Sequence, residues 1–292
     1  MRIKQFSSVD EFASLTGPVL EAAEAENNLP LGLVSAIRSG EYRERAPFFA
    51  VVYDGAAPSS ESIVAVALRT PPFPVVIPLT PGAGSPEAAR LLAAELHRVF
   101  GAEIGGFNAD ARIGPSYVQA WEELTGVGAT VHMKLRVFRC AAVKPPAGVA
   151  GVGRSATPRD RDVLETMITG FYRDAVPDEY DPKTVEKFVE RNLNPHPGQR
   201  GLLLWDVDGE VVSMAVYKGA TPRGIRITAV YTPPEHRSHG YASACVAELT
   251  GRLLQQGREF CFLFTDLSNP TSNKIYRQIG YEPVSDHVYW KV

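Results

Sequence analysis

VYTPPEHRSHGYASA (230–244) is the stretch whose reading decides the fold: an apolar β-rich run meets a proline pair, turns through Gly240 and opens a helix. Ile225, Ile227, Val230 and Tyr231 favour a strand, and Pro233 and Pro234 end it, because proline lacks the ladder donor and fixes its own φ. The helix then begins near Tyr241: Ala242, Val246, Leu249 and Leu253 recur at helical spacing, and Gly257 offers a left-handed stop. A helix start leaves backbone N–H groups unpaired at the positive end of the helix dipole, so main-chain donors there can hold a phosphate. Gly240 lets the backbone come close. Many strand–turn–helix junctions carry a glycine for the turn alone and bind nothing, so the physics by itself leaves both readings open.

The spelling narrows the choice. Arg237, Gly240 and Ala242 reproduce the pattern R-x-x-G-x-[G/A], which resembles the pyrophosphate-binding segment of the GNAT superfamily of acyl-CoA-dependent N-acetyltransferases. Downstream, CFLFTDLSNPTSNKIYRQIGYEPV (261–284) reads as a buried strand, a turn, a short helix and a return strand. It resembles the family's other signature, with Asn269 after the strand, Tyr276 on the helix, and Gly280 and Tyr281 before the last strand. Ser272 and Ile275 stand where the family often has Ala and Leu. The two motifs fall in the expected order, and the resemblance covers about residues 152–292.

The resemblance implies an enzyme that moves an acetyl group from acetyl-CoA to a primary amine by direct attack in a ternary complex. Main-chain groups of Arg237, Ser238, His239, Gly240, Tyr241 and Ala242 are expected to hold the pyrophosphate, and Val230, Tyr231 and Thr232 to pair with the pantetheine arm. A backbone N–H near Val230 is expected to face the thioester carbonyl oxygen, an oxyanion-hole role. Asn269 is expected to contact the pantetheine or to cap the short helix. Tyr276 is the candidate proton donor, because a phenol of ordinary pKa about 10 is protonated at neutral pH and can protonate a departing thiolate. The alternative is a tyrosine merely packed under Gly280.

Many members of the family carry a carboxylate on the central strand, and residues 225–231 contain none. Asp266, Glu235 and Tyr172 are near in sequence but read more naturally as turn, surface or core-edge residues, so no general base is assigned; a water relay is equally open. A catalytically idle acyl-CoA-binding or sensor module is therefore the alternative function.

The order of elements seen in the second half also runs through the first. FFAVVY (48–53) and SIVAVALR (62–69) read as a hairpin, PVVIPL (74–79) as a third strand, EAARLLAAELHRVF (87–100) as an amphipathic helix and EIGGFN (103–108) as a strand weakened by glycine. Residues 8–40 carry helical patterning broken at Gly17-Pro18 and again near Leu29-Pro30. The pairs Gly101/Gly257, Trp121/Tyr276 and Gly126/Gly280 lie 156, 155 and 154 residues apart, a nearly constant offset that marks an internal repeat. The final strands of the two copies are ATVHMKLRVFRC (129–140) and HVYWKV (287–292). The expected fold is α/β of the α+β kind: tandem GNAT-like lobes, each a mixed, mostly antiparallel central sheet flanked by helices. The expected division is a degenerate lobe over 1–140, a Pro/Gly/Ala-rich linker over 141–153 and the catalytic domain over 154–292. In the first lobe the corresponding turn, LTPGAGSPEAAR (79–90), lacks the arginine and places Glu87 in the first helical turn, where a carboxylate occupies the favourable dipole site and repels phosphate.

In the second lobe a helix is expected to start at Thr157-Pro158, another over 181–193, and a hairpin to turn at Asp208-Gly209. Tyr172, Tyr180, Trp205 and Tyr217 could line an acceptor pocket or belong to the core, and His196 reads as loop.

A chain of 292 residues with 30 Lys and Arg against 33 Asp and Glu, net charge −3, offers no basic stripe for nucleic acid. Its apolar runs are much shorter than the ~20 residues that cross a bilayer, and no signal-peptide core follows the early charges, so a cytoplasmic protein without a membrane partner is expected. Cys140, Cys245 and Cys261 suit neither a disulfide framework nor a zinc site, and His236 and His239 lack a third ligand, so no metal is expected. A two-lobed chain can supply the lobe contact that single-lobe relatives obtain by dimerising, and a monomer is expected.

Overall fold

The computed structural model describes residues 1–42, 46–177, 180–195 and 199–292; His196 lies outside them. The chain forms two compact units: Met1–Val137 with Phe264–Asn269 and Pro283–Val292, and Phe138–Leu263 with Pro270–Glu282.

The first unit begins with β1 (Arg2–Phe6), α1 (Val9–Glu21), α2 (Asn28–Arg38), β2 (Phe48–Tyr53), β3 (Ile63–Arg69) and β4 (Val75–Ile77). α3 (Pro86–Phe100), β5 (Phe107–Asp110), α4 (Gly114–Thr125) and β6 (Thr130–Cys140) follow. α1 runs through Pro18 rather than breaking there, because Phe12, Thr16 and Leu20 form one buried stripe whose packing outweighs the lost helical bond. The run 103–108 is not one strand. Residues 101–104 form a 3-10 turn, Gly105 and Gly106 take positive φ of 72° and 135°, and the strand starts only at Phe107.

The second unit contains β7 (Val152–Ser155), α5 (Arg161–Ala175), α6 (Pro182–Leu193), β8 (Gly201–Val207) and β9 (Glu210–Lys218). It continues with β10 (Gly224–Tyr231), α7 (Tyr241–Gln255), β11 (Phe260–Asp266), of which residues from Phe264 onward count with the first unit, and α8 (Pro270–Gln278). β7, β8, β9 and β10 pair antiparallel in that order, and β10 pairs parallel with β11. The β8–β9 hairpin turns at Asp208 and Gly209, φ 52° and 91°, the double left-handed geometry that Asp-Gly favours. One face of this sheet packs α7 and α8 through Ile225, Ile227, Val246, Leu249 and Leu263; the other packs α5 and α6 through Leu164, Ile168, Val189, Leu204 and Met214.

The last strand, β12 (Glu282–Lys291), pairs antiparallel with β5 of the first unit, Trp290 opposite Phe107 and His287 opposite Asp110. In that unit β1 to β4 pair antiparallel in sequence order and β4 pairs parallel with β5. Two glycines leave room for that pairing. A Cβ at Gly106 would collide with the Trp290 carbonyl, and one at Gly114 with the Trp290 indole, so two glycines of the first unit form the seat for a tryptophan near the C-terminus.

The fold is thus mixed α/β with mostly antiparallel strands flanked by helices. No helix among the described residues is long and apolar enough to cross a membrane.

α5 enters through a 3-10 turn (Pro158–Asp160) closed by a reciprocal cap: Thr157 donates both its amide (2.7 Å) and its hydroxyl (2.8 Å) to Asp160. Arg154 adds two bonds to the same carboxylate at 2.8 and 3.0 Å and a third to Asp206 at 2.9 Å. With Arg154 as the main cause and Thr157 assisting, the Asp160 pKa falls to about 2. A depressed carboxylate pKa stabilises the fold above the ordinary value and loses that contribution as pH falls through the folded value. Acid unfolding followed by circular dichroism should therefore show stability falling from about pH 4 toward pH 2, and Asp160→Asn should remove about 2 kcal/mol at neutral pH and flatten that decline.

Candidate active site

β10 carries the two irregularities that shape the site. Its register with β9 shifts between Thr228 and Tyr231, and Ala229 sits inside the shift with φ 45°, a left-handed bulge. With β11 it pairs only from Gly224 to Arg226, opposite Phe260 to Phe262. From Ile227 to Tyr231 the strand therefore runs on without β11 as a partner. An unpaired strand edge is a template for an extended ligand.

Beyond the strand, a 3-10 turn (Pro234–His236) leads to Arg237, and positive φ at Ser238 (68°) and Gly240 (82°) reverses the chain into α7. The α7 start has no side-chain cap and no acidic residue in its first turn. Among the described residues, the amides of Ser238 through Ser243 find no protein acceptor; the first helical bond runs from the Ala244 amide to the Gly240 carbonyl at 3.0 Å. Six free donors at the positive end of a 15-residue helix form an anion cradle.

The side chains of this turn point elsewhere. Arg237 donates through Nε to the Thr232 carbonyl (3.0 Å), pairs with Asp174 (2.5 Å) and lies 5.8 Å from the Tyr231 ring centre. His239 stacks on Tyr241 with ring centres 5.4 Å apart, and His236 faces Glu210 at 3.3 Å. Among the described residues, no three His, Cys, Asp or Glu side chains gather as a metal site. At the strand end, Ser213 donates to the Tyr231 carbonyl (3.1 Å) and shares a hydrogen bond with the Thr232 hydroxyl (2.9 Å). The carbonyls of Tyr231 and Thr232 are thus already engaged.

Tyr276 lies on α8, buried among Phe138, Tyr281 and Cys245 in the core that Val230 and Tyr241 also border. Burial pushes its pKa up to about 12, so the phenol holds its proton across the neutral range. Asn269 immediately precedes Pro270 at the head of α8, and its amide donates to the Asp266 carbonyl (3.0 Å).

Asp266 accepts the Ser268 amide (2.7 Å) as a turn residue, Glu235 is exposed, and Tyr172 is buried between α5 and α6. The four aromatics do not line one pocket: Tyr172 and Tyr180 join the core under α5 and α6, Trp205 and Tyr217 the core under α7. Sequence reasoning missed Ser213 and Asp174. A lone serine inside the apolar run VVSMAV was a signal for the first; nothing local marks the second.

The matching junction of the first unit is built differently. α3 starts with Ser85 capping the Ala88 amide (3.5 Å), Pro86 without a donor, and Glu87. Asn27 clamps the end of β4, donating to the Leu79 carbonyl (2.9 Å) and accepting from the Leu79 amide (2.8 Å). Both donors and strand edge are taken.

A bulged central strand, an open strand edge and an uncapped helix start thus meet at one place in a mixed α/β fold. Residues 164–281 match the Acetyltransferase (GNAT) family, and the chain carries a GNAT acetyltransferase domain there. No match is found among curated proteins. Among solved structures, the chain is similar to a GCN5-related N-acetyltransferase from Kribbella flavida, with 19% identity, 90% of this chain and 95% of that one covered, and TM-score 0.60. A GCN5-related N-acetyltransferase from Sphaerobacter thermophilus aligns at 15% identity over 99% and 95%, TM-score 0.64. A tandem GNAT protein from the clavulanic acid biosynthesis pathway aligns at 13% identity over 100% and 98%, TM-score 0.61. At these identities the likeness is one of fold. The family generally uses acetyl-CoA as co-substrate, and acetyl transfer is its general chemistry.

A Cβ at Gly240 would sit 3.0 Å from Val149 on a backbone of left-handed φ. Gly240→Ala should weaken CoA binding about tenfold in calorimetric titration, from roughly 1 kcal/mol of backbone strain plus that contact. Gly240→Glu, which adds a carboxylate to the cradle, should abolish detectable binding.

Proposed function

We propose that this chain is an N-acetyltransferase that transfers the acetyl group of acetyl-CoA to a primary amine by direct attack in a ternary complex. The observation that carries the reading is the uncapped, acid-free start of α7 directly after the bulged end of β10. The amides from Ser238 to Ala242 hold the pyrophosphate, the expected Arg237 amide being taken by the Pro234 carbonyl (3.3 Å), and the open edge at Val230, Tyr231 and Thr232 takes the pantetheine arm through its amides. When bound, the cofactor supplies a thioester whose carbonyl carbon is open to an amine.

The remaining steps belong to the protein. A main-chain N–H near Val230 faces the carbonyl oxygen and stabilises charge that builds there, an effect of a few kcal/mol in other enzymes. The new C–N bond forms as the C–S bond breaks, and the sulfur leaves with the bonding pair. Tyr276 then donates its proton to that sulfur, while the proton shed by the attacking nitrogen passes to a base or water relay, from which the Tyr276 phenolate is reprotonated. The acceptor amine must arrive deprotonated, and no carboxylate stands on β10 to assist it.

That missing carboxylate favours a second reading, an acyl-CoA-binding module that does not turn over. In support of the same two-lobe reading, the capped α3 start and the Asn27 clamp make the first unit a partner lobe that does not bind acyl-CoA in this way.

Titration of acetyl-CoA followed by thiol release against a panel of amines separates the readings. One site per chain with release supports the enzyme; one site without release supports the module; no binding overturns both. Tyr276→Phe should keep acetyl-CoA affinity within about twofold while thiol release falls by about 10²- to 10⁴-fold, the usual weight of a general acid. Because the phenol titrates only near pH 12, the wild-type rate should rise with pH as the amine deprotonates, without a Tyr276-linked fall below that range.

A further inference from the structure

The cofactor cradle contains a residue that should not hold its shape unaided. Ser238 takes φ 68°, a conformation that a non-glycine residue adopts at a cost and that persists only where neighbours over-determine it. The residue immediately before it, Arg237, is fixed at three points. Its Nε bonds the Thr232 carbonyl at 3.0 Å, closing a ring over Pro233, Pro234, Glu235 and His236. Its terminal nitrogen bonds Asp174 in the last turn of α5, and its guanidinium rests over Tyr231. Tyr231 is in turn wedged against α5, since a Cβ at Gly170 would collide with its hydroxyl.

From these contacts we infer that Arg237 is a positioning residue. It locks the backbone on the N-terminal side of Ser238, so that Ser238 stays left-handed and the amides that follow converge, and Asp174 anchors that lock to α5. The guanidinium does not itself reach into the cradle, because all three of its contacts lie on the strand and α5 side. This rests on the cofactor reading above and deepens it: the shape of the phosphate-binding turn is set by an ion pair to a different helix.

The consequence is specific. If Arg237 acts only by holding Ser238, a residue that adopts positive φ freely should make Arg237 dispensable. If Arg237 instead attracts phosphate by its charge, the substitution at 238 should change nothing.

The test is calorimetric titration of CoA into the full chain as wild type, Arg237→Ala, Asp174→Asn, Ser238→Gly, the Arg237→Ala/Ser238→Gly double variant and the Arg237→Ala/Asp174→Asn double variant. Thermal melts serve as a folding control. Arg237→Ala should weaken CoA about tenfold and Asp174→Asn about threefold, the scale set by one left-handed non-glycine residue. Together those two should weaken it no more than Arg237→Ala alone, because they act through one lock. Adding Ser238→Gly to Arg237→Ala should restore affinity to within about threefold of wild type, as glycine bears no penalty at that φ.

Failure of Ser238→Gly to rescue, or an Arg237→Ala variant that binds like wild type, would overturn the positioning role while leaving the cofactor site in place. If the folded wild type binds no CoA, the cofactor reading itself falls and the inference with it. Hydrogen exchange gives an independent readout: CoA should slow exchange at residues 171–176 in the wild type and not in Asp174→Asn, and equal slowing in both would count against the anchor.

Discussion

The free amides at the start of α7 are the constraint on which the rest of the functional unit depends. A backbone donor must be satisfied by protein, water or ligand, and from Ser238 to Ser243 the protein supplies no acceptor among its described residues. That arrangement requires a strand that stops on time, a turn that twice visits positive φ, and a helix whose first turn holds no carboxylate. Pro233 and Pro234 supply the first, Ser238 and Gly240 the second, and the sequence Tyr241-Ala242-Ser243 the third.

The two units show how little separates a binding site from a structural junction. In each, a strand passes through a glycine-bearing turn into a 15-residue helix. At α3 the Ser85 hydroxyl, the missing donor of Pro86 and the carboxylate of Glu87 satisfy or cancel what α7 leaves open. The Asn27 side chain then occupies the main chain of Leu79 just past the end of β4, as an extended ligand would. A few side chains therefore convert an anion cradle into a capped helix without changing the topology around it.

Burial sets the protonation state of the candidate acid. Tyr276 is held in a core shared by Val230 and Tyr241, and the low polarity that raises its pKa keeps it a proton donor at every physiological pH. The same burial makes Cys140, Cys245 and Cys261 unreactive by pushing their thiols up. In the proposed transfer Tyr276 is therefore the acid, and the base side is left to groups outside β10.

The sequence by itself determined what local chemistry encodes: the proline stop, the glycine turn, the α7 stripe, the Asp208-Gly209 hairpin and the two signature segments. These features are legible because each is decided by a residue's own φ preferences or by side chains three or four positions apart. Only the tertiary structure decided that α1 runs through Pro18, because the burial of Phe12 comes from strands far along the chain, Phe49 among them. Only it paired β12 with β5, through the fit of Trp290 against Gly106 and Gly114, about 180 residues away in sequence. Only it joined Arg237 to Asp174, since an ion pair between a turn and a helix 63 residues earlier leaves no trace in spacing. Local preference is written in neighbouring residues, whereas a contact between distant ones exists only once the backbone has brought them together.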